Sequence, residues 1–229
     1  MNVCVDAGHG GRDSGAVNGN TLEKDIALKV ALKLYKLIES DYNVTLTRNK
    51  DSYVSLQDRV EISNKFDSDF FVSIHVNSSQ APYTATGIET LIYENKGDTK
   101  RLAENVQNSL ISNLGAVNRG IKIRNDLYVL KNTKCPAILV EIGFIHADVN
   151  KLLNNEYQDK IALSIARGLN YTTGVNSNMS NDDNKSAIEM LKDRKIINNP
   201  EYWENASKCV LYLSDLLDNI KQYLIKNNI

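Results

Sequence analysis

Over its first 174 residues the chain alternates short, nearly continuous apolar runs with longer segments whose apolar residues recur every three to four positions. That alternation leaves few folds open. The runs NVCVDA, VTLTR, DFFVSIHV, GIETLIYE, DLYVL and AILVEIGF read as strands. Between them, TLEKDIALKVALKLYKLIES carries Ile26, Val30, Leu34, Leu37 and Ile38 at helical spacing. SLQDRVEISNKF, TKRLAENVQNSLISNL and EYQDKIALSIARGLNYTTG read as further helices, the last ending on glycine. Strands this apolar belong in the interior of a sheet. Strands alternating with helices predict an α/β fold, a mostly parallel sheet covered by helices on both faces.

After Gly174 the composition changes. VNSNMSNDDNK has almost nothing to bury, and residues 175–184 read as a linker. Residues 185–229 read as a small helical module, too short for a substantial core of its own. Val210, Leu213, Leu217, Ile220 and Leu224 alternate steps of three and four. That seam suits either a helix folded back within the chain or a pair of helices in a homodimer.

Charge and composition narrow the function. A net charge of −1 offers no basic excess for phosphate neutralisation, so nucleic acid is not an expected partner. No apolar run approaches the roughly 20 residues of a membrane span, so no stable membrane anchor is expected. The opening MNVCVDAGHG has neither the basic stretch nor the apolar core of a secretory leader. Three cysteines, Cys4, Cys135 and Cys209, form no CxxC pair and suit reduced thiols in a product made in the cytoplasm. Cys4 lies in an apolar strand and reads as core.

Only three histidines are present, and one stands in VDAGHGGRDSGA, where the first strand breaks into glycines. Glycine turns the chain sharply and lets a bulky group approach the backbone, and α/β folds keep their sites at such strand ends. His9 occupies this loop. Glu23 opens the first helix, where an acid is also favoured by the helix dipole. His75 ends the third strand, and Glu141 interrupts the last one, where a buried acid is costly unless paired or bound to a cation. Two imidazoles and one carboxylate make a zinc set with an open fourth position, and the remaining carboxylate can serve as a general base beside it. The spacing is not HExxH. Spacing alone leaves open which glutamate ligates and which acts as base.

These motifs, taken in order, resemble a known family. DAGHGGRDSGA, LEKDIAL, LTRNKDSYVSLQDRVEISN, FFVSIHVNS, GIETLIY and NRGIKIRNDLYVLKNTKCPAILVEIGFI are similar to the zinc-dependent N-acetylmuramoyl-L-alanine amidases of the Amidase_3 type. The resemblance spans about residues 1–174. It implies that His9, Glu23 and His75 ligate one Zn²⁺ and that Glu141 is catalytic. It also implies a mixed, mainly parallel sheet flanked by helices, and peptidoglycan as substrate. Asn77, two residues past His75, is a candidate substrate contact. Two departures stand out. Relatives often continue after GF with Ser-Asn, where this chain has Ile145, His146 and Ala147, so His146 is expected at the surface outside the zinc set. The stretch VNSSQAPYTAT is too short for the autoinhibitory helix that some relatives carry there, which suggests an open site.

The reaction implied is hydrolysis of the amide between the lactyl group of muramic acid and L-alanine. The leading expectation is an endolysin, acting on the wall after release from the cytoplasm, with the C-terminal module binding the wall. The alternatives are a sporulation or mother-cell autolysin of the same chemistry, a zinc peptidase cutting elsewhere in the stem peptide, and a non-catalytic wall-binding protein on an amidase scaffold.

Overall fold

The first strand buries all but its first residue, and around it the computed structural model builds a six-stranded sheet. The structure describes residues 1–81 and 83–175, together with Lys192 and Ile220. In chain order the elements are β1 (Asn2–Ala7), a two-strand hairpin of β2 (Val17–Asn18) and β3 (Thr21–Leu22), α1 (Glu23–Ile38), β4 (Asn43–Leu46), α2 (Leu56–Lys65) and β5 (Phe70–Asn77). There follow β6 (Ile88–Ile92), α3 (Gly97–Leu114), β7 (Asn118–Ile123), α4 (Tyr128–Asn132), β8 (Ala137–Phe144), α5 (Val149–Leu152) and α6 (Asn155–Thr173). The sheet runs β4-β1-β5-β8-β6-β7, and every neighbouring pair is parallel except β6 with β8. This is the mixed, mainly parallel sheet flanked by helices that the family resemblance implies.

Side-chain alternation along the three central strands positions the chemistry. Successive residues of a strand point to opposite faces. On one face Cys4, Phe71 and Ala137 join Leu139 in a cluster with Val60 of α2 and Val129 and Leu130 of α4. Two residues further along β1 and β5 stand Asp6 and Ser73, and beyond Ser73 and Leu139 stand His75 and Glu141. Register pairs Asp6 with Ser73, Ser73 with Leu139, and His75 with Glu141. The face is therefore apolar where α2 and α4 cover it and polar toward the C-terminal ends of the strands. On the opposite face of β1 and β5, Val3, Val5, Val72 and Ile74 are fully buried. α1 packs against both strands through Ile26, Ala27, Val30, Ala31 and Leu34. Gly168 lets α6 approach α3: a Cβ there would lie 2.5 Å from the Cα of Val106.

One element differs from its sequence reading. DLYVL was expected as a strand, yet residues Tyr128–Asn132 form the short helix α4. A run of four apolar residues does not distinguish a buried strand from a buried helical turn. Here Val129 and Leu130 reach the core by packing beside α2, and Lys131 N–H closes a helical turn on Leu127 O at 3.0 Å. The place beside β6 is taken by β7, NRGIKI, an edge strand whose polar residues hide its pattern.

Beneath the polar end of the sheet lies a fully paired buried cluster. Asp6 Oδ1 accepts from Arg59 Nη1 and from the Thr47 hydroxyl, both at 2.6 Å, and Oδ2 accepts from the Ser73 hydroxyl at 2.6 Å. Burial alone would raise the Asp6 pKa, but Arg59, Ser73 and Thr47 outweigh it and hold the carboxyl below its ordinary value. A depressed carboxyl contributes stability that is complete above the unfolded pKa of about 3.9 and is lost as pH falls through the folded value. Asp6→Asn, which leaves Arg59 buried without its counter-charge, is expected to cost about 3–5 kcal/mol at pH 7. In urea unfolding at pH 7 and pH 3 that difference should narrow at the lower pH, because there the unfolded wild type binds a proton that its folded, paired carboxyl resists. A gap that stays constant would contradict this assignment.

The chain divides into one unit, Met1–Thr172, and a second, Thr173–Ile229. The expected linker beyond Val175, the C-terminal module and the seam from Val210 to Leu224 lie outside the described residues, Lys192 and Ile220 apart, as does Cys209. Among the described residues no helix is long and apolar enough to cross a membrane. Cys4 is buried in the core, as the sequence predicts, and Cys135 packs against the same cluster, both as free thiols.

Candidate metal centre and active site

The glycine-rich loop after β1 places His9 in left-handed backbone, with φ 59. That conformation costs a non-glycine residue about 1–2 kcal/mol, so the surroundings must hold it. Two neighbouring glycines are there for space. A Cβ at Gly8 would lie 2.5 Å from the His75 imidazole, and one at Gly15 would lie 2.5 Å from Glu23 Oε2. These glycines keep side chains out of a tight cluster.

Glu23 lies at that cluster's centre. It opens α1 after Leu22, which supplies no side-chain cap. The carboxylate turns back, and Oε2 accepts from Ala16 N–H at 2.7 Å while Oε1 accepts from Val76 N–H at 2.9 Å. His9 Nε2 lies 3.2 Å and His75 Nδ1 2.9 Å from the same Oε1. The imidazoles meet edge to face with centroids 4.9 Å apart. Burial would raise the Glu23 pKa, yet both histidines outweigh it and hold the carboxyl far below the usual range. Burial would lower His9, but Glu23 and Asp13 lift it to about 9. His75 is likewise raised against its burial, by Glu23 and then Glu141.

The donor set fits a metal ion. His9 Nδ1 lies 2.9 Å from Asp13 Oδ2, and a carboxylate there fixes the proton on Nδ1 and leaves the Nε2 lone pair facing Glu23. Three electron-pair donors then converge, an arrangement that a bound cation would satisfy. Among the described residues His9, Glu23 and His75 are the group able to ligate a metal, with donor atoms all within 4.8 Å of one another. Bonds of about 2.0–2.2 Å in a tetrahedral zinc site imply ligand separations of roughly 3.3–3.6 Å; Glu23 Oε1 lies 3.2 and 2.9 Å from the two imidazole nitrogens. His₂Glu is also a known catalytic zinc donor set with one position left open.

Glu141 is adjacent but separate. It pairs in register with His75 on one side and Glu89 on the other. Its Oε2 is buried and has no hydrogen-bond partner. Burial pushes its pKa up to about 7; Glu23 and Glu89 add to the rise, and His75 and His9 oppose it. A carboxyl poised near neutrality beside a cation site is suited to moving a proton in both directions.

A cleft of about 160 Å³ reaches His9 and His75. Tyr53, Leu56, Leu127 and Tyr128 line it, the first two about half exposed. Arg12 lies over the Tyr53 ring at 4.1 Å. Asn77, the candidate substrate contact, has both ends of its amide engaged: Nδ2 donates to Glu89 Oε1 at 2.9 Å and Oδ1 accepts from Ser78 N–H at 2.8 Å. Glu89 in turn accepts from Arg119 Nε at 2.9 Å. His146 stays outside the metal group. It is half-buried and stacks on Tyr83 with centroids 4.1 Å apart.

Asp13, Glu89 and Arg119 were missed from sequence. Asp13 carries a signal, an acid four residues after His9 in a loop with few side chains. Glu89 carries another, since it interrupts an apolar strand just as Glu141 does.

Residues 3–171 match the family Amidase_3, described as N-acetylmuramoyl-L-alanine amidase. The sporulation-specific N-acetylmuramoyl-L-alanine amidase of Bacillus subtilis is 34% identical over 198 residues, 84% of this chain and 76% of that protein. The endolysin of Bacillus phage SPP1 is 36% identical over 177 residues, covering 73% and 64%. Among solved structures, the N-acetylmuramoyl-L-alanine amidase of Clostridium difficile 630 superposes with TM-score 0.72 at 36% identity, covering 77% of this chain and 98% of that one.

Proposed function

From the premise that the chain belongs to the Amidase_3 family of N-acetylmuramoyl-L-alanine amidases, and so hydrolyses peptidoglycan, we propose that it does so with one zinc ion held by His9, Glu23 and His75, and with Glu141 as the catalytic acid and base. The observation that carries this reading is the convergence of three donor atoms beside a buried, unpartnered carboxylate oxygen. When bound, zinc supplies a Lewis acid for the carbonyl oxygen of the scissile amide and acidifies nearby water. Ionised Glu141 takes a proton from water as it attacks the carbonyl carbon, then returns that proton to the alanine nitrogen as the C–N bond breaks. Asp13 keeps His9 in the ligating tautomer, and the two backbone N–H groups on Glu23 fix its carboxylate.

Dialysis against a chelator should abolish release of stem peptides from purified walls, and added zinc should restore it. Full activity in a sample shown by elemental analysis to be free of metal would overturn the metal assignment.

The protein's biological setting is read as wall lysis of the endolysin type, with a sporulation autolysin as the second reading. Both rest on the two kinds of relative above. Residues 185–229 are proposed to bind the wall, since all four chemical residues precede them; pairing of two chains through Val210–Leu224 is the remaining proposal for that segment.

A further inference from the structure

Two buried arginines are left unexplained by the chemistry above. Arg48 and Arg59 are 4% and 3% exposed. Arg59 pairs with Asp6, but most of their donors go to backbone carbonyls. Arg48 Nε reaches Ala7 O at 2.9 Å, and its Nη2 reaches Gly8 O at 2.7 Å and Lys24 O at 2.8 Å. Arg59 Nη1 reaches Ala7 O at 2.7 Å and Nη2 reaches His9 O at 2.6 Å. Two more bonds, Arg48 Nη1 to Lys50 O at 3.2 Å and Arg59 Nε to Val54 O at 3.1 Å, hold each guanidinium near its own backbone. The remaining carbonyl acceptors are His9 itself, the two residues before it, and the residue after Glu23.

We propose that Arg48 and Arg59 are positioning residues for the metal centre, a paired clamp that fixes the backbone of His9 and Glu23 in the ligating arrangement. This rests on the zinc reading above. His9 adopts a left-handed backbone conformation that is disfavoured for a non-glycine residue, and Arg59 grips its carbonyl directly. Glu23 and His9 come from different elements, and Arg48 ties them together by bonding Gly8 O and Lys24 O with one nitrogen. A guanidinium suits the task because it presents five donors in a rigid plane. A lysine ammonium carries the same charge but cannot span several carbonyls in that geometry. Burial of two like charges is not free: it lowers the Arg48 pKa, with Arg59 contributing in the same direction. Such a pair is not what core stability alone would select, and its placement around the ligands is what it achieves.

The test measures zinc affinity of the metal-stripped protein by competition with a chromophoric chelator, at a temperature where circular dichroism shows each variant folded. Arg48→Lys and Arg59→Lys should bind zinc roughly 10–100-fold more weakly, the range for residues that orient metal ligands from behind. Leu110→Ala, a cavity in α3 away from the ligands, should lower Tm and leave zinc affinity unchanged. Arg48→Lys leaves the Asp6–Arg59 pair in place, so it decides the matter if Arg59→Lys does not fold. Arginine variants that lose Tm but bind zinc as tightly as the wild type would reduce the clamp to a structural role. A wild-type protein that itself fails to bind zinc would instead overturn the metal reading.

Discussion

Glu141→Gln should reduce turnover on purified peptidoglycan by at least about 10²-fold, the lower range for a general acid–base group, while the protein still holds one zinc per chain. The substitution preserves the size of a side chain set between His75 and Glu89 in the sheet. It removes a carboxylate oxygen that is buried and has no hydrogen-bond partner. Burial has already raised this carboxyl to about 7, so a neutral amide is an acceptable occupant and folding should survive. Stoichiometric zinc with lost turnover separates catalysis from binding. If Glu141→Gln emptied the metal site instead, Glu141 would be a ligand and its role would have to be exchanged with that of Glu23.

Glu23→Gln should give the opposite pattern. Zinc should fall below one per chain, and activity should drop with it by more than the roughly 10–100-fold typical of residues that only support a ligand. Glu23 provides the single oxygen that both imidazoles face, at 3.2 and 2.9 Å. It also accepts from two backbone N–H groups that tie the Ala16 loop and the end of β5 to α1. An amide can accept from one of these through its oxygen, but its nitrogen cannot accept from the other. Lower Tm should therefore accompany the metal loss. A Glu23→Gln protein with full zinc occupancy and normal turnover would contradict the assignment of Glu23 as a ligand.

Much of this site is legible in the sequence because its residues break local rules. His9 sits among glycines, Glu141 interrupts an apolar strand, and His75 ends one; each is conspicuous against a pattern of period two or 3.6. Residues whose work is done through other residues are less visible. Asp13 looks like an ordinary loop acid until its carboxylate is seen against His9. Arg48 and Arg59 look like solvated charges, since nothing in LTRNK or LQDRV indicates that both side chains turn inward onto backbone carbonyls. The sheet was legible where strands are buried on both faces, as in β1, β5 and β8. It was not legible at its edge, where β7 is polar, nor at DLYVL, where four apolar residues suit a strand or a helical turn and packing against α2 decides. Whether β6 runs parallel or antiparallel to β8 depends on contacts far apart in the chain, which local pattern does not encode.

The central claim concerns one bond, and the most direct test is to identify the amino terminus that digestion creates. Purified peptidoglycan treated with the zinc-loaded protein, labelled at new amines and analysed by mass spectrometry, should show L-alanine as the newly exposed residue on released stem peptides. Intact lactyl groups should remain on the muramic acid, with no new reducing ends in the glycan. A different new amino terminus would mean a peptidase cutting within the stem, and new reducing ends in its place would mean a glycosidase; either would contradict the account.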